Sequence, residues 1–288
     1  MRRHFFELNS HFHVEETDIC YRNIAYYAFF KIKFVNNKCM SKEKIADNKP
    51  FTFKQFKIQQ DHCAMKVGTD GVLLGAWADI ESAQNILDIG TGTGVIAVML
   101  AQRSQNTEGV KIHGVEIDAV AAEQAQANFK AAPFAERLAA FPLSIQDFAK
   151  KSSLKYDLIV SNPPFFTGGT LNSSGDKTNV RHTVKLPHGD LLNATRELLA
   201  PNGKFCVILP LIEGLRFVEI AATYGLHITQ RTDVRFKKEK PIERLLLTFE
   251  HHPKAIDQKE LILQHSTMGD RDFTDAYREL TKDFYTMF

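Results

Sequence analysis

The sequence predicts an α/β fold, a doubly wound and mostly parallel sheet of seven strands that ends in an antiparallel hairpin. Three observations predict it. From Phe51 onward, short apolar runs alternate with amphipathic ones, the pattern of strands alternating with helices. A run of spaced glycines, Gly90-Thr91-Gly92-Thr93-Gly94, joins one such strand to the helix after it. The last two strands have no helical stretch between them, which favours a hairpin over a crossover. With 288 residues, 44% apolar and 24% charged, the chain can bury a sizeable core and is not disordered by composition.

Residues 1–39 read differently from the rest. They hold nine aromatics without a sustained period, and six Lys/Arg against four acids, which accounts for the whole net charge of +2. Glu15, Glu16 and Asp18 interrupt any signal-peptide pattern. Met40 precedes a polar Ser-Lys-Glu-Lys stretch, so synthesis is expected to begin there, with 1–39 an extension and 40–288 the folded domain with a C-terminal tail. Asn85–Ile89 reads as the first sheet strand and Val95–Ala101 as the helix after the glycines. A second strand, 111–117, ends in acids and is followed by an Ala-rich helix, 119–129. The third strand is expected over 138–145, stopping at Asp147, and the fourth over 156–161. Asp190 is expected to cap a helix through Leu199, before a strand at 203–209 and a helix at 212–224. Strands near 228–236 and 244–249 close the pattern.

Four scattered cysteines, Cys20, Cys39, Cys63 and Cys206, form no CxxC pair and have no histidine at ligand spacing. Neither a disulfide framework nor a metal is expected, and reduced cytosolic thiols are the plain reading. No apolar run approaches the roughly 18 residues of a membrane span.

The glycines let a ligand lie against the main chain at a helix N-terminus. A dinucleotide fingerprint would put its third glycine at position 95, which is Val95. Asp88, just before the loop, would repel a pyrophosphate and suits a ligand with a positive charge. Glu116 can accept hydrogen bonds from both ribose hydroxyls, and Asp147 from an adenine amino group. An adenosine with a cationic end and no phosphate describes S-adenosylmethionine. Each acid alone could be a solvated loop residue; their placement at successive strand ends favours a site.

The fourth strand runs into Asn162-Pro163-Pro164-Phe165. A ring-conjugated amino group is a poor nucleophile because its lone pair is delocalised. If the Asn162 amide oxygen and the Pro163 carbonyl accept its two N–H bonds, the lone pair is freed toward the methyl donor. The prolines fix the backbone, so that carbonyl is preorganised. Phe165 can stack on the base. No strong base is needed, and positioning should supply most of the rate.

At these residues the chain, from about Phe51 to Phe288, resembles the bacterial tRNA1(Val) (adenine(37)-N6)-methyltransferase family. Phe53-Lys54-Gln55-Phe56, the block Cys63 to Trp77, Leu87 to Gly94, Ser161 to Phe165 and Thr281 to Tyr285 carry the resemblance. The glycine loop and Asn-Pro-Pro-Phe are common to many methyltransferases; the Met65–Trp77 block is far more specific. The resemblance implies a Rossmann-like class I methyltransferase fold and transfer of a methyl group to adenine N6 beside the anticodon. It also implies that residues 1–39 have no counterpart in the family. Within the block, Gly68-Thr69-Asp70-Gly71 reads as a turn with an Asx cap opening a helix from Val72 to Trp77. Lys66 and Thr69 are candidate cofactor or substrate contacts there.

The expected catalytic residues are therefore Asn162, Pro163 and Phe165. Cofactor contact is expected of Thr69, Asp88, Gly90, Gly92, Gly94, Glu116, Asp147 and Asn162. Around the late hairpin, Arg231, Arg235, Lys237, Lys238, Lys240 and Arg244 surround Phe236, a mix suited to phosphates and bases, although Glu239 and Glu243 dilute it. RNA contact is expected of Arg235, Lys237, Lys238 and Lys240. Arg181 in the long 168–185 loop, beside His182, joins them. The expected partner is tRNA, in the cytoplasm, with the protein a monomer. Rival readings keep the chemistry but change the nitrogen: guanine N2 in rRNA, adenine N6 in DNA, or a protein glutamine. A non-catalytic RNA-binding scaffold and a dinucleotide oxidoreductase are the rivals from other classes.

Overall fold

The computed structural model describes residues 49–63, 65–164, 186–265 and 272–288. The 1–39 extension, the expected start at Met40, Phe165, Arg181 and His182 lie outside the described residues. The described residues open on a small antiparallel pair, β1 (Phe51–Thr52) and β2 (Lys57–Ile58). Helix α1 (Thr69–Trp77) follows, and then strand–helix alternation begins. In order come β3 (Asn85–Ile89), α2 (Val95–Arg103), β4 (Lys111–Glu116), α3 (Ala119–Ala131), β5 (Leu138–Pro142), α4 (Ile145–Lys151) and β6 (Tyr156–Ser161). The remaining elements are α5 (His188–Leu198), β7 (Leu199–Pro210), α6 (Leu211–Thr223), β8 (His227–Lys237), β9 (Arg244–Glu250), β10 (Asp257–Gln264) and α7 (Asp275–Thr281).

The large sheet has eight strands in the order β10-β8-β9-β7-β6-β3-β4-β5. All neighbours are parallel except β7 with β9 and β8 with β9, so β9 alone runs against the rest. The expected α/β class and closing hairpin are borne out. The expected count of seven is not: β10 adds a parallel edge strand on β8. Its first four residues, Asp257-Gln258-Lys259-Glu260, are exposed, and only Leu261 and Leu263 turn an apolar side inward.

The core explains the central strands. Ile86, Leu87 and Ile89 of β3 and Leu158, Ile159 and Val160 of β6 are buried on both sheet faces, as covered parallel strands require. One face packs α1 and α2 through Leu73, Leu74, Val98, Met99 and Leu100; the other packs α4, α5 and α6 through Phe148, Leu191, Leu192 and Phe217. The chain winds outward from β3 to β4 and β5, then returns to β6 beside β3. That reversal makes the carboxyl ends of β3 and β6 a topological switch point, where doubly wound sheets bind their ligands.

Two caps differ from the sequence expectation. Pro187, not Asp190, is the N-cap of α5, and Asp190 sits in its first turn, where it accepts a hydrogen bond from Gln146 Nε2 (2.9 Å). The α1 helix starts at Thr69 with Gly68 as N-cap and no side-chain cap. Asp70 instead binds Arg244. The N- and C-terminal ends of the described domain meet, since Phe53 bridges Tyr285 and Lys54 N–H donates to the Phe284 carbonyl (2.8 Å). Among the described residues, no helix is long and apolar enough to cross a membrane.

Candidate active site

The register places the glycine loop and the Asn-Pro-Pro turn side by side. Ile89 pairs with Ser161, so Gly90 and Asn162 leave adjacent strands at the same level. Ser161 fixes this junction, its hydroxyl donating to the Ile89 carbonyl (2.9 Å) from a fully buried position. Sequence reading passed over Ser161, although a hydroxyl at the end of a buried apolar strand is the signal that finds it.

Asp88 is fully buried, one residue before the loop. Its Oδ2 accepts a hydrogen bond from Thr91 Oγ1 (2.7 Å), while Oδ1 has no partner among the described residues. Burial pushes this carboxyl up to about 7, helped by the nearby Glu116 and opposed by the Thr91 hydroxyl and the Ala97 N–H. Thr91 fits because Gly114 of β4 has no side chain; a Cβ there would lie 2.9 Å from the threonine. Glu116 closes β4; its Oε2 supports the loop by accepting from Gly92 N–H (3.0 Å), and its Oε1 accepts from Asp118 N–H (3.0 Å) at the start of α3.

The loop is shaped by positive backbone angles. Gly90 has φ +73° and open space where a Cβ would be, so a ligand can lie against its main chain. Gly94 has φ +81°, and a Cβ there would fall 2.5 Å from the Phe129 ring. Asn128, four residues on from Gln124 in α3, is a second residue that sequence reading missed. Its amide donates to the Thr93 carbonyl (2.8 Å) and the Gln59 carbonyl (2.9 Å), and its oxygen accepts from Gln59 N–H (2.9 Å). It thus ties the loop to the segment after β2.

Asn162 is half-buried, and its Oδ1 has no partner among the described residues. Pro163 follows, buried. Thr69 is half-buried at the start of α1, two residues before Gly71, whose position meets Val95 and Ile96 just beyond the loop. Lys66 is exposed and donates to the Gln60 carbonyl (2.8 Å).

Asp147 stands apart from the strand-end set. The third strand stops at Pro142, and Ser144 then caps α4, so Asp147 lies in that helix's first turn. The Ser144 hydroxyl accepts from Asp147 N–H (3.1 Å) and donates to the Asp147 carboxylate (2.8 Å), a capping arrangement. That hydroxyl holds the exposed carboxyl below its usual range, with Lys150 and Lys151 adding to the effect.

Of the hairpin bases, three are engaged. Arg231 Nε binds Asp233 (2.6 Å), and Arg244 Nε binds Asp70 (2.8 Å). Arg235 donates to Glu260 (2.6 Å) and to the Lys240 carbonyl (2.6 Å). Lys238 and Lys240 are exposed on the β8–β9 turn and Lys237 is half-buried beside them. Among the described residues, no group of three or more His, Cys, Asp or Glu is placed to hold a metal ion.

The donor set fits a cationic adenosine. A buried carboxylate with one idle oxygen suits an ammonium, and the uncovered backbone at Gly90 leaves room for the ligand beside it. Comparison with known proteins agrees. The methyltransferase small domain family matches residues 66–213. The tRNA1(Val) (adenine(37)-N6)-methyltransferase of Pectobacterium carotovorum subsp. carotovorum is 42% identical over 246 residues, covering 83% of this chain and 97% of the relative. That of Erwinia tasmaniensis is 44% identical over 237 residues, covering 82% and 94%. Among solved structures, a predicted O-methyltransferase from Agrobacterium tumefaciens superposes with a TM-score of 0.57 at 17% identity, over 75% of this chain and 96% of that one, which shows the shared fold. From the matched length, the identity and the common fold, the chain belongs to the tRNA1(Val) (adenine(37)-N6)-methyltransferase family.

Proposed function

We propose that this protein transfers a methyl group from S-adenosylmethionine to N6 of adenine 37 in tRNA1(Val), the activity that names its relatives. One observation carries the reaction: two buried oxygens, Asp88 Oδ1 and Asn162 Oδ1, stand without partners among the described residues at the ends of the adjacent strands β3 and β6. Buried acceptors without partners are costly, and a ligand with matching N–H groups removes that cost. S-adenosylmethionine, when bound, supplies an electrophilic methyl on a sulfonium. Asp88 is assigned to its ammonium group, Glu116 to the ribose hydroxyls and Asp147 to the adenine amine. Gly90 and Gly92 give it open backbone, Gly94 shapes the loop against Phe129, and Thr69 is assigned to the same ligand.

Asn162 and the Pro163 carbonyl are assigned to the target amine, each accepting one N–H. This turns the nitrogen lone pair out of conjugation and holds it in line for attack. Phe165 is assigned to stacking on the base. Lys237, Lys238 and Lys240 are assigned to the RNA backbone together with Arg181, while Arg235, held by Glu260 and the Lys240 carbonyl, shapes their turn. The parallel register supports this, because β6 and β8 end on the same sheet edge. The protein is assigned to the cytoplasm, acting as a monomer on tRNA.

The test is transfer of labelled methyl to total tRNA, total rRNA, DNA and protein, followed by mass analysis of tRNA nucleosides. N6-methyladenosine at position 37 is the expected product. Label found only in rRNA, DNA or protein would replace this substrate with one of those.

A further inference from the structure

Helix α1 bridges the two halves of the proposed site. On one side, a Cβ at Gly71 would lie 3.5 Å from Val95 and 3.8 Å from Ile96, so the first turn of α1 rests on the start of α2. Further along, Gly75 lies flush on Met99, where a Cβ would meet the sulfur at 2.9 Å. On the other side, Asp70 Oδ2 accepts from Arg244 Nε at 2.8 Å, with the two side chains only 18% and 24% exposed. Arg244 opens β9, opposite Val234 of β8 and Pro210 of β7, at the end of the hairpin turn that carries the three lysines. At the far end of α1, Trp77 Nε1 donates to Thr232 Oγ1 (3.1 Å) of β8.

Buried Val72, Leu73 and Leu74 seat the body of this helix. The ion pair ties down its first turn, where Thr69 and Asp70 are only half-buried. Asp70 is bonded away from its own helix, at the residue between Thr69 and Gly71, and its partner stands on the strand that leads out of the basic turn.

We propose that the Asp70–Arg244 pair is a positioning contact that fixes the distance between the glycine loop and the β8–β9 turn. It sets RNA held by the lysines in register with Asn162, and so acts on turnover through geometry and not through contact with either ligand. The inference rests on the proposed tRNA substrate for its kinetic part only.

Asp70→Asn and Arg244→Gln remove the charge pair from either side, and Asp70→Arg combined with Arg244→Asp reverses it. Thr232→Val, which removes the far tie, is the comparison. Three quantities are read: hydrogen exchange of the amides of residues 66–72 in the free protein, kcat on tRNA, and S-adenosylhomocysteine affinity by calorimetry. Asp70→Asn is expected to speed exchange several-fold and to lower kcat about tenfold, since small misplacement in a positioned reaction is expensive. Affinity for S-adenosylhomocysteine should stay within about threefold, and the reversed pair should recover part of both losses. Thr232→Val should lower Tm and leave kcat within about twofold, because the near tie is intact. Unchanged exchange in both single variants overturns the proposal, as does a Thr232→Val variant that loses as much turnover as Asp70→Asn. A reversed pair that recovers neither loss also overturns it. Where the wild-type chain methylates no tRNA, the exchange measurement still decides the contact, and the failure belongs to the assigned substrate.

Discussion

Asp88 keeps a carboxyl where water does not reach, and its pH response follows. Folded, it holds its proton up to about 7; unfolded, it releases it near the ordinary 3.8. Between those values the folded state binds more protons, so stability is greatest at the acid end and declines as pH rises through about 7. The Tm of the free protein is expected to fall between about pH 5 and pH 7.5, and Asp88→Asn to remove most of that slope, as scanning calorimetry would read. An arriving ammonium favours the ionised carboxylate. Binding of S-adenosylhomocysteine near neutrality should then release up to about half a proton, measurable by calorimetry in buffers of different ionisation heat. No buffer dependence would remove Asp88 from the ammonium. Asn162 makes the complementary prediction. Its Oδ1 is aimed at no protein donor among the described residues, so Asn162→Ala should leave S-adenosylhomocysteine affinity within about threefold while lowering kcat about a hundredfold or more. Full turnover by that variant would remove Asn162 from the target amine.

At the scale of elements, the glycine loop is the most tightly specified segment. Gly94 combines φ +81° with a Phe129 ring 2.5 Å from any added Cβ, so neither strain nor contact can relax cheaply. Gly94→Ala should lower stability by about 2–3 kcal/mol in urea denaturation, by backbone strain plus overpacking. Gly90→Ala meets only the strain, having open space around it, and should cost about 1 kcal/mol while weakening the cofactor more than Gly94→Ala does per unit of stability lost. Strands β3 and β6 were legible to the residue, because a parallel strand covered on both faces is an unbroken apolar run with abrupt ends. Strand β5 was misjudged at its end. Leu138 to Ile145 keeps apolar residues coming, yet Pro142 has no N–H to give and Ser144 with Asp147 opens a helix by side-chain hydrogen bonds. Strand β10 was missed because an edge strand needs little apolar content, and four polar residues open it. The strand-end placement of Asp88, Glu116 and Asn162 could be read from sequence, but their hydrogen bonding could not. Gly92 and Asp118 N–H groups reach Glu116, and among the described residues none reaches Asn162 Oδ1, only because of tertiary register.

Across the whole molecule, one sheet edge gathers Asp88, Glu116, Asn162 and the β8–β9 turn, to which the proposed reaction is assigned. Seven of the eight strands point the same way, so the ends of β3, β4 and β6 share an edge with the end of β8 and the start of β9. Three strand spacings separate β6 from β8, roughly 14 Å, a distance that an RNA backbone spans within a few nucleotides. Net charge offers no help with RNA here: the chain carries 36 basic and 34 acidic residues, and its whole excess lies in residues 1–39. Attraction is therefore assigned to a local patch, the turn together with Arg181. Arg231, Arg235 and Arg244 are occupied by Asp233, Glu260 and Asp70, which leaves Lys237, Lys238 and Lys240 as the charges best placed to meet phosphates. Each phosphate neutralised steepens the dependence of log affinity on log salt by about 0.7–0.9. Replacing the three lysines by glutamine should weaken tRNA binding about tenfold or more at low salt, and flatten that slope by about 2–3 if all three reach phosphates. The loss should shrink as salt rises, while S-adenosylhomocysteine affinity stays the same. A slope unchanged in the triple variant would move the RNA to another face of the sheet edge. A uniform loss at every salt concentration would mean that the turn had changed shape without giving up any phosphate contact.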